Sequence, residues 1–250
     1  MIVTGTSTKE INDFKQEMMK AFEMSDLGLL SYYLGIEVEQ KDGFIALKQS
    51  AYAKKILEQS GMMECNSNKV PMEPKLKIGK DENGVPANAT EYRKAVKQIL
   101  RYLKGSLNFG LKYKKGEDEV LIGYSDSNLA EDIDDRRSTT EFMAATSAAC
   151  QAVWLRRLLT DLTGNKAKEV NLYVDNKSAI ALMKNPVFHR RSKHIDTRFH
   201  FIRECVEKGD IIISHVCTDE QKADILTKAL AKVKFLQMRK MLGVADLNQV

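Results

Sequence analysis

Residues 170–184 run Val170-Asn171-Leu172-Tyr173-Val174-Asp175-Asn176-Lys177-Ser178-Ala179-Ile180-Ala181-Leu182-Met183-Lys184. Val170 to Val174 has the β-branched and aromatic content of a strand, an acid follows at once, and Ser178 to Lys184 predicts a short helix. The same order recurs upstream, where the strand-like Leu121-Ile122-Gly123-Tyr124 leads to Asp126. A long helix is then predicted from about Thr140 to Leu162, capped by Ser138 or Thr139 and stopped by Gly164. Downstream, a helix over Ile195 to Lys208, a strand over Ile211 to Val216 and helices from Asp219 and Lys232 complete the pattern. Strands alternating with helices predict an α/β layer with some parallel pairing.

If the two strands are parallel, Asp126 and Asp175 emerge at one carboxyl edge of the sheet, where α/β proteins place ligands. Glu141 falls in the first turn of the predicted long helix, and Asp224 in the first turns after the last strand. Four acids from four elements would repel one another without cations. Hard oxygen ligands with few protein contacts per ion suit Mg²⁺, and two such ions can serve phosphodiester cleavage. Each acid also has a plainer role open to it, as a turn residue or a helix-dipole partner.

Towards the N-terminus, Ser7-Thr8-Lys9-Glu10 has capping-box form and precedes Ile11, Phe14, Met18 and Phe22 at helical spacing. Tyr32 to Glu39 and Phe44 to Lys48 read as strands joined by Lys41-Asp42-Gly43, and Ala51 to Gln59 as a helix ending near Gly61. From Met62 to Thr90 there is no hydrophobic period, with Pro71, Pro74 and Pro86 among asparagines and glycines. A domain boundary is set there, giving parts 1–90 and 91–250. The second part opens with a helix whose apolar face is Tyr92, Val96, Ile99, Leu100 and Leu103, ended by Gly105. A hairpin of Asn108–Tyr113 and Val120–Ser125 is expected next, and Trp154, Leu155, Leu158, Leu159 and Leu162 are expected in the core.

The 250 residues are 43% hydrophobic and 29% charged, a globular composition. No apolar run approaches the ~20 residues of a membrane span, and no basic-then-apolar leader opens the chain. An intracellular protein, cytoplasmic or nuclear, is therefore expected. Cys65, Cys150, Cys205 and Cys217 form no CxxC pair, so neither zinc nor a disulfide framework is suggested.

The net charge of +5 hides a concentrated stretch. Between Tyr92 and Gly116 there is no acid, while Arg93, Lys94, Lys97, Arg101, Lys104, Lys112, Lys114 and Lys115 give +8 with interleaved aromatics. Such a stripe would attract a phosphate backbone; a solvated helix face beside a lysine-guarded edge strand is the plainer alternative. His189-Arg190-Arg191-Ser192-Lys193-His194 forms a second basic run at the start of a helix, suited to backbone phosphate.

The phrases around the acids resemble the ribonuclease H domain of copia-type retrotransposon Pol polyproteins. They are Gly123-Tyr124-Ser125-Asp126-Ser127-Asn128-Leu129-Ala130, Thr140-Glu141-Phe142-Met143-Ala144-Ala145, Tyr173-Val174-Asp175-Asn176-Lys177-Ser178-Ala179-Ile180, Lys193-His194-Ile195-Asp196, and Gln221-Lys222-Ala223-Asp224-Ile225-Leu226-Thr227-Lys228. Leu27-Gly28 and Tyr33-Leu34-Gly35-Ile36-Glu37-Val38 resemble the reverse transcriptase just after its catalytic turn. The resemblance implies a ribonuclease H-like mixed sheet with flanking helices, preceded by a palm and thumb remnant of α+β type. It also implies that Asp126, Glu141, Asp175 and Asp224 hold two Mg²⁺ ions, with His215 a loose match to a product-release histidine. The substrate so implied is an RNA–DNA hybrid.

Three departures from the family pattern bear on activity. The chain starts after the family's Tyr-x-Asp-Asp turn, so no polymerase activity is expected. Glu91-Tyr92-Arg93 runs almost directly into Ala95 to Leu103, where the family has a further helical segment. Only 14 residues separate Asp126 from Glu141, too few for the two antiparallel strands the family places there. Ribonuclease H activity is therefore expected to be weak or absent. The alternatives are a non-catalytic nucleic-acid-binding remnant, with Arg93, Lys97, Arg101, Lys104, Arg190, Arg191 and Lys193 as contacts, or a relic frame without selected function.

Overall fold

The computed structural model describes residues 1–5, 7–74, 88–116, 120–126, 135–184 and 193–249. Two compact units arise, each from separated segments. The first takes Met1–Pro71, Ile99–Gly116 and Gly243–Val250; the second takes Met72–Gln98 and Glu117–Leu242. The sequence reading sets a single cut after residue 90.

The first unit starts with α1 (Thr8–Ala21), whose N-cap Ser7 accepts from the Glu10 amide at 3.3 Å, as its capping pattern predicts. Its sheet holds β1 (Tyr32–Tyr33), β2 (Ile36–Lys41), β3 (Phe44–Lys48), β4 (Phe109–Lys114) and β8 (Val244–Asp246), in that order and wholly antiparallel. The predicted strand Tyr32–Glu39 is in fact two strands. Leu34 (φ 47°) and Gly35 (φ 84°) make a two-residue reversal that pairs Tyr33 with Ile36, and both positive angles match the right-handed twist of a tight hairpin. The predicted β2–β3 hairpin forms, with Gly43 at φ 84°. α2 (Ser50–Gln59) buries Ala53 and Leu57, joined in the core by Ala46 and Val70. α3 (Ala89–Gly105), which belongs to the second unit up to Gln98 and to the first from Ile99, starts at Asn88, whose side chain accepts from the amides of Thr90 and Glu91.

Two expectations fail here. Asn108–Tyr113 and Val120–Ser125 do not form a hairpin: β4 lies between β3 and β8, and Val120–Ser125 contributes its strand to the other sheet. Local propensity marks both segments as strands, but strand partners are chosen by packing, and Gly110 lets β3 and β8 close on either side of β4. A Cβ at Gly110 would sit 2.5 Å from the Leu47 carbonyl oxygen. The proposed apolar face of α3 is also largely in water: Tyr92, Val96 and Ile99 are exposed, and the buried residue is Ala95.

The second unit has a sheet of three parallel strands, β5 (Ile122–Ser125), β6 (Val170–Val174) and β7 (Ile211–His215), in spatial order β5-β6-β7. The α/β class holds; the sequence leads one to expect a mixed sheet that has lost its antiparallel hairpin, and the described strands are all parallel. β5 has no partner on its far side among the described residues. α4 (Asp135–Thr163), α5 (Lys177–Lys184) and α6 (Lys193–Glu207) supply the helices, followed by α7 (Asp224–Thr227) and α8 (Lys232–Met241). Phe142, Ala145, Ala149 and Val153 of α4 meet Val170, Leu172, Val174, Ile211 and Ile213 in one core cluster that includes Ile202 of α6.

α4 corrects the sequence reading twice. It begins at Asp135, so Ser138 and Thr139 lie inside it rather than capping it. Its Trp–Leu stripe is not core: Trp154 is 56% and Leu162 63% exposed, with Leu155 and Leu158 also exposed. The alanine-rich side faces the sheet instead, because small side chains let the helix axis approach the strands closely. Arg156 ties α4 down at its far end. Its Nε donates to the carbonyls of Ala167 (3.2 Å) and Lys168 (3.0 Å), and its Nη1 donates to Asp210 Oδ1 at 2.5 Å. No helix among the described residues is long and apolar enough to cross a membrane.

Candidate metal centre

Strand register builds the centre. β5 and β6 run parallel with Ser125 opposite Val174, so the next residues, Asp126 and Asp175, leave the sheet side by side at its carboxyl edge. Tyr124 and Tyr173 reinforce that register one step earlier, stacking with ring centroids 5.2 Å apart. Asp224 comes from the segment after β7. Gln221, fully buried there, donates from Nε2 to the Ser125 carbonyl at 2.9 Å and sets the first residue of α7 against the end of β5. One carboxylate oxygen each from Asp126, Asp175 and Asp224 then lie within 4.8 Å of one another.

One turn of α7 supplies two further groups. Thr227 Oγ1 donates a short hydrogen bond to Asp126 Oδ2. Lys228 Nζ lies 2.8 Å from Asp224 Oδ1 and 3.3 Å from Asp126, whose side chains are both nearly inaccessible to water. Burial pushes the Asp224 carboxyl above its ordinary range; Lys228 opposes this, and the charges of Asp126 and Asp175 add to it. For Lys228, burial favours the neutral amine but is outweighed by Asp224 and Asp126, so its ammonium is held above the ordinary lysine range. Three clustered hard oxygen donors, two of them buried and carrying more negative charge than one ammonium balances, fit a small divalent cation such as Mg²⁺.

The other candidates fall elsewhere. Glu141 is buried but is the seventh residue of α4 instead of lying in its first turn, and it is not a member of the aspartate group. His215 ends β7 opposite Val174, at the same edge, exposed and outside the group. Arg93 and Lys97 are exposed on α3, and Lys104 is half-buried. Arg101 is engaged within the fold, since its Nε donates to the Asn66 carbonyl at 2.8 Å while its own carbonyl accepts from Asn68. Arg190 and Arg191 lie outside the described residues; Lys193 opens α6, and its side chain lies outside them too. Thr227 and Lys228, unassigned from sequence, stand three and four residues after Asp224, the spacing that puts side chains on one helical face.

Residues 1–74 match the family described as reverse transcriptase (RNA-dependent DNA polymerase). Over 98% of its length the chain is 29% identical to the retrovirus-related Pol polyprotein from transposon TNT 1-94 of Nicotiana tabacum. It is 28% identical, again over 98% of its length, to that from transposon RE1 of Arabidopsis thaliana. The chain resembles retrotransposon Pol polyproteins over nearly its whole length. The chain spans 24% of the tobacco polyprotein and 21% of the Arabidopsis one. The tobacco alignment covers 316 positions against a chain of 250 residues, so at least 66 positions of the relative have no counterpart here. No solved structure matches the chain.

Proposed function

We propose that the second unit is a reduced ribonuclease H-type module that holds Mg²⁺ on Asp126, Asp175 and Asp224 and cleaves the RNA strand of an RNA–DNA hybrid only weakly. The observation that carries this is the convergence of the three aspartates at the carboxyl edge of parallel strands. When bound, the ion supplies positive charge that makes water a better nucleophile and stabilises the leaving oxygen. Asp126 and Asp175 are presented by strand ends, Asp224 is brought in by the Gln221 anchor, and Thr227 fixes the Asp126 carboxylate. Weak activity follows from the position of Glu141, which leaves a three-carboxylate centre where the family pattern implies four. Small misplacements of reacting groups cost on the order of 10²-fold in rate. On this reading the first unit is the reverse-transcriptase-derived part.

A labelled RNA–DNA hybrid, incubated with the full chain and Mg²⁺, tests the proposal. Slow cleavage that disappears in Asp175→Asn is the expected result. Fast cleavage would refute the reduced rate, and no cleavage at any Mg²⁺ concentration would refute the nuclease reading.

A second reading is favoured by the exposure of Arg93, Lys94 and Lys97 on α3: nucleic acid binding without chemistry. It expects retention of hybrid or duplex in EDTA, weakening steeply with salt. No binding at low salt would rule it out.

A further inference from the structure

We infer that Lys228 is a built-in competitor for the metal: its ammonium holds the cation position between Asp126 and Asp224 when Mg²⁺ is absent, and yields it when the ion binds. The inference rests on reading the three aspartates as a metal centre.

Position, charge and freedom of movement support it together. Nζ lies 2.8 Å from Asp224 Oδ1 and 3.3 Å from Asp126, so it occupies acceptor capacity on two of the three carboxylates a cation would use. Those side chains are 3% and 4% exposed, so water screens the contest between two cations poorly. The lysine itself is different. Its side chain is 36% exposed on a flexible four-carbon stem, so the ammonium can turn into solvent without unfolding α7. Three carboxylates beside one ammonium leave a net double negative charge, enough to attract a divalent ion. Without the ammonium they would attract it more strongly and repel one another more in its absence.

The consequence is a crossed pattern. Removing the positive charge at position 228 lowers the stability of the metal-free protein and tightens metal binding. A lysine that merely held α7 in place would give the first effect without the second.

The test titrates the full chain with Mg²⁺ by calorimetry and follows thermal unfolding with and without the ion, comparing wild type with Lys228→Met. Binding at least about fivefold tighter in the variant, within the usual span of coupling between neighbouring sites, is expected. A lower melting temperature without Mg²⁺ and a larger rise on adding it should accompany this. Lys228→Gln, which keeps a donor but loses the charge, should tighten binding likewise and serves if the methionine variant does not fold. Equal or weaker affinity in the variants, with measurable binding to wild type, overturns the competition and leaves the metal centre standing. If neither wild type nor the variants bind Mg²⁺, the metal centre itself is refuted and the inference falls with it.

Discussion

Gln221 and Ser125, 96 residues apart in sequence, are joined by a buried hydrogen bond of 2.9 Å from the glutamine Nε2 to the serine carbonyl. The contact fixes the chain entering α7 to the end of β5, and so sets Asp224 beside Asp126. Gln221→Ala removes this bond from a fully buried position and opens a small void. A loss of about 1–3 kcal/mol is expected in urea unfolding, together with weaker Mg²⁺ binding. Unchanged stability would show that the anchor is dispensable.

The pH response of the centre has a definite sign. Burial raises the Asp224 carboxyl above the ordinary 3.8. A raised folded value means the group favours folding most below 3.8, and that contribution is lost as pH rises through the folded value. Metal-free protein should therefore lose stability across that interval, and Asp224→Asn should flatten the slope. Mg²⁺ competes with the proton for the same carboxylate, so its affinity should fall as the solution is acidified through that interval. Calorimetric titration at several pH values measures this directly.

Leu34 is 80% exposed and sits at φ 47°, where a branched side chain is disfavoured. Nothing is lost from a core by replacing it. Leu34→Asn or Leu34→Gly should stabilise the first unit by up to about 1 kcal/mol, read as a higher urea midpoint.

Gly110 shows the opposite sensitivity. A methyl group there would press on the Leu47 carbonyl oxygen and, at 2.8 Å, on Leu247 Cδ1, so Gly110→Ala should cost about 1–3 kcal/mol or more. Hydrogen exchange should show the loss first in the amides of β3, β4 and β8.

Arg156→Ala leaves Asp210 and two carbonyls without their guanidinium partner. A loss of about 2–4 kcal/mol is expected, and Arg156→Lys should recover only part of it because an ammonium cannot reproduce the planar fork. Chemical denaturation of both variants checks the difference.

What could be read from sequence was what short-range pattern encodes. Asp126 and Asp175 were legible as one edge because each follows a strand-like run, and the capping of α1 was legible from Ser7 and Glu10. Partner choice was not. β4 and β5 have similar local composition, and nothing within either segment says that one joins an antiparallel sheet and the other a parallel one. The Trp154 stripe misled because apolar periodicity reports a face without saying which side the sheet takes, and close approach to the strands selected Ala145, Ala149 and Ala152. At the centre, Asp224 carried a motif, whereas Gln221 gains its role from Ser125, 96 positions away, and Lys228 joins its own-turn neighbour Asp224 to Asp126, 102 positions away.

β8 has a consequence for the order in which this protein can be made. It is the outer neighbour of β4, yet the ribosome releases residues 244–246 only after all three strands of the second sheet have emerged. During synthesis the first unit must wait, with one flank of β4 uncovered, while the second can already condense around α4. A premature stop after Leu242 would make that interval permanent, leaving the amide and carbonyl of Gly110, which face Ala245, open to whatever extended segment they met first.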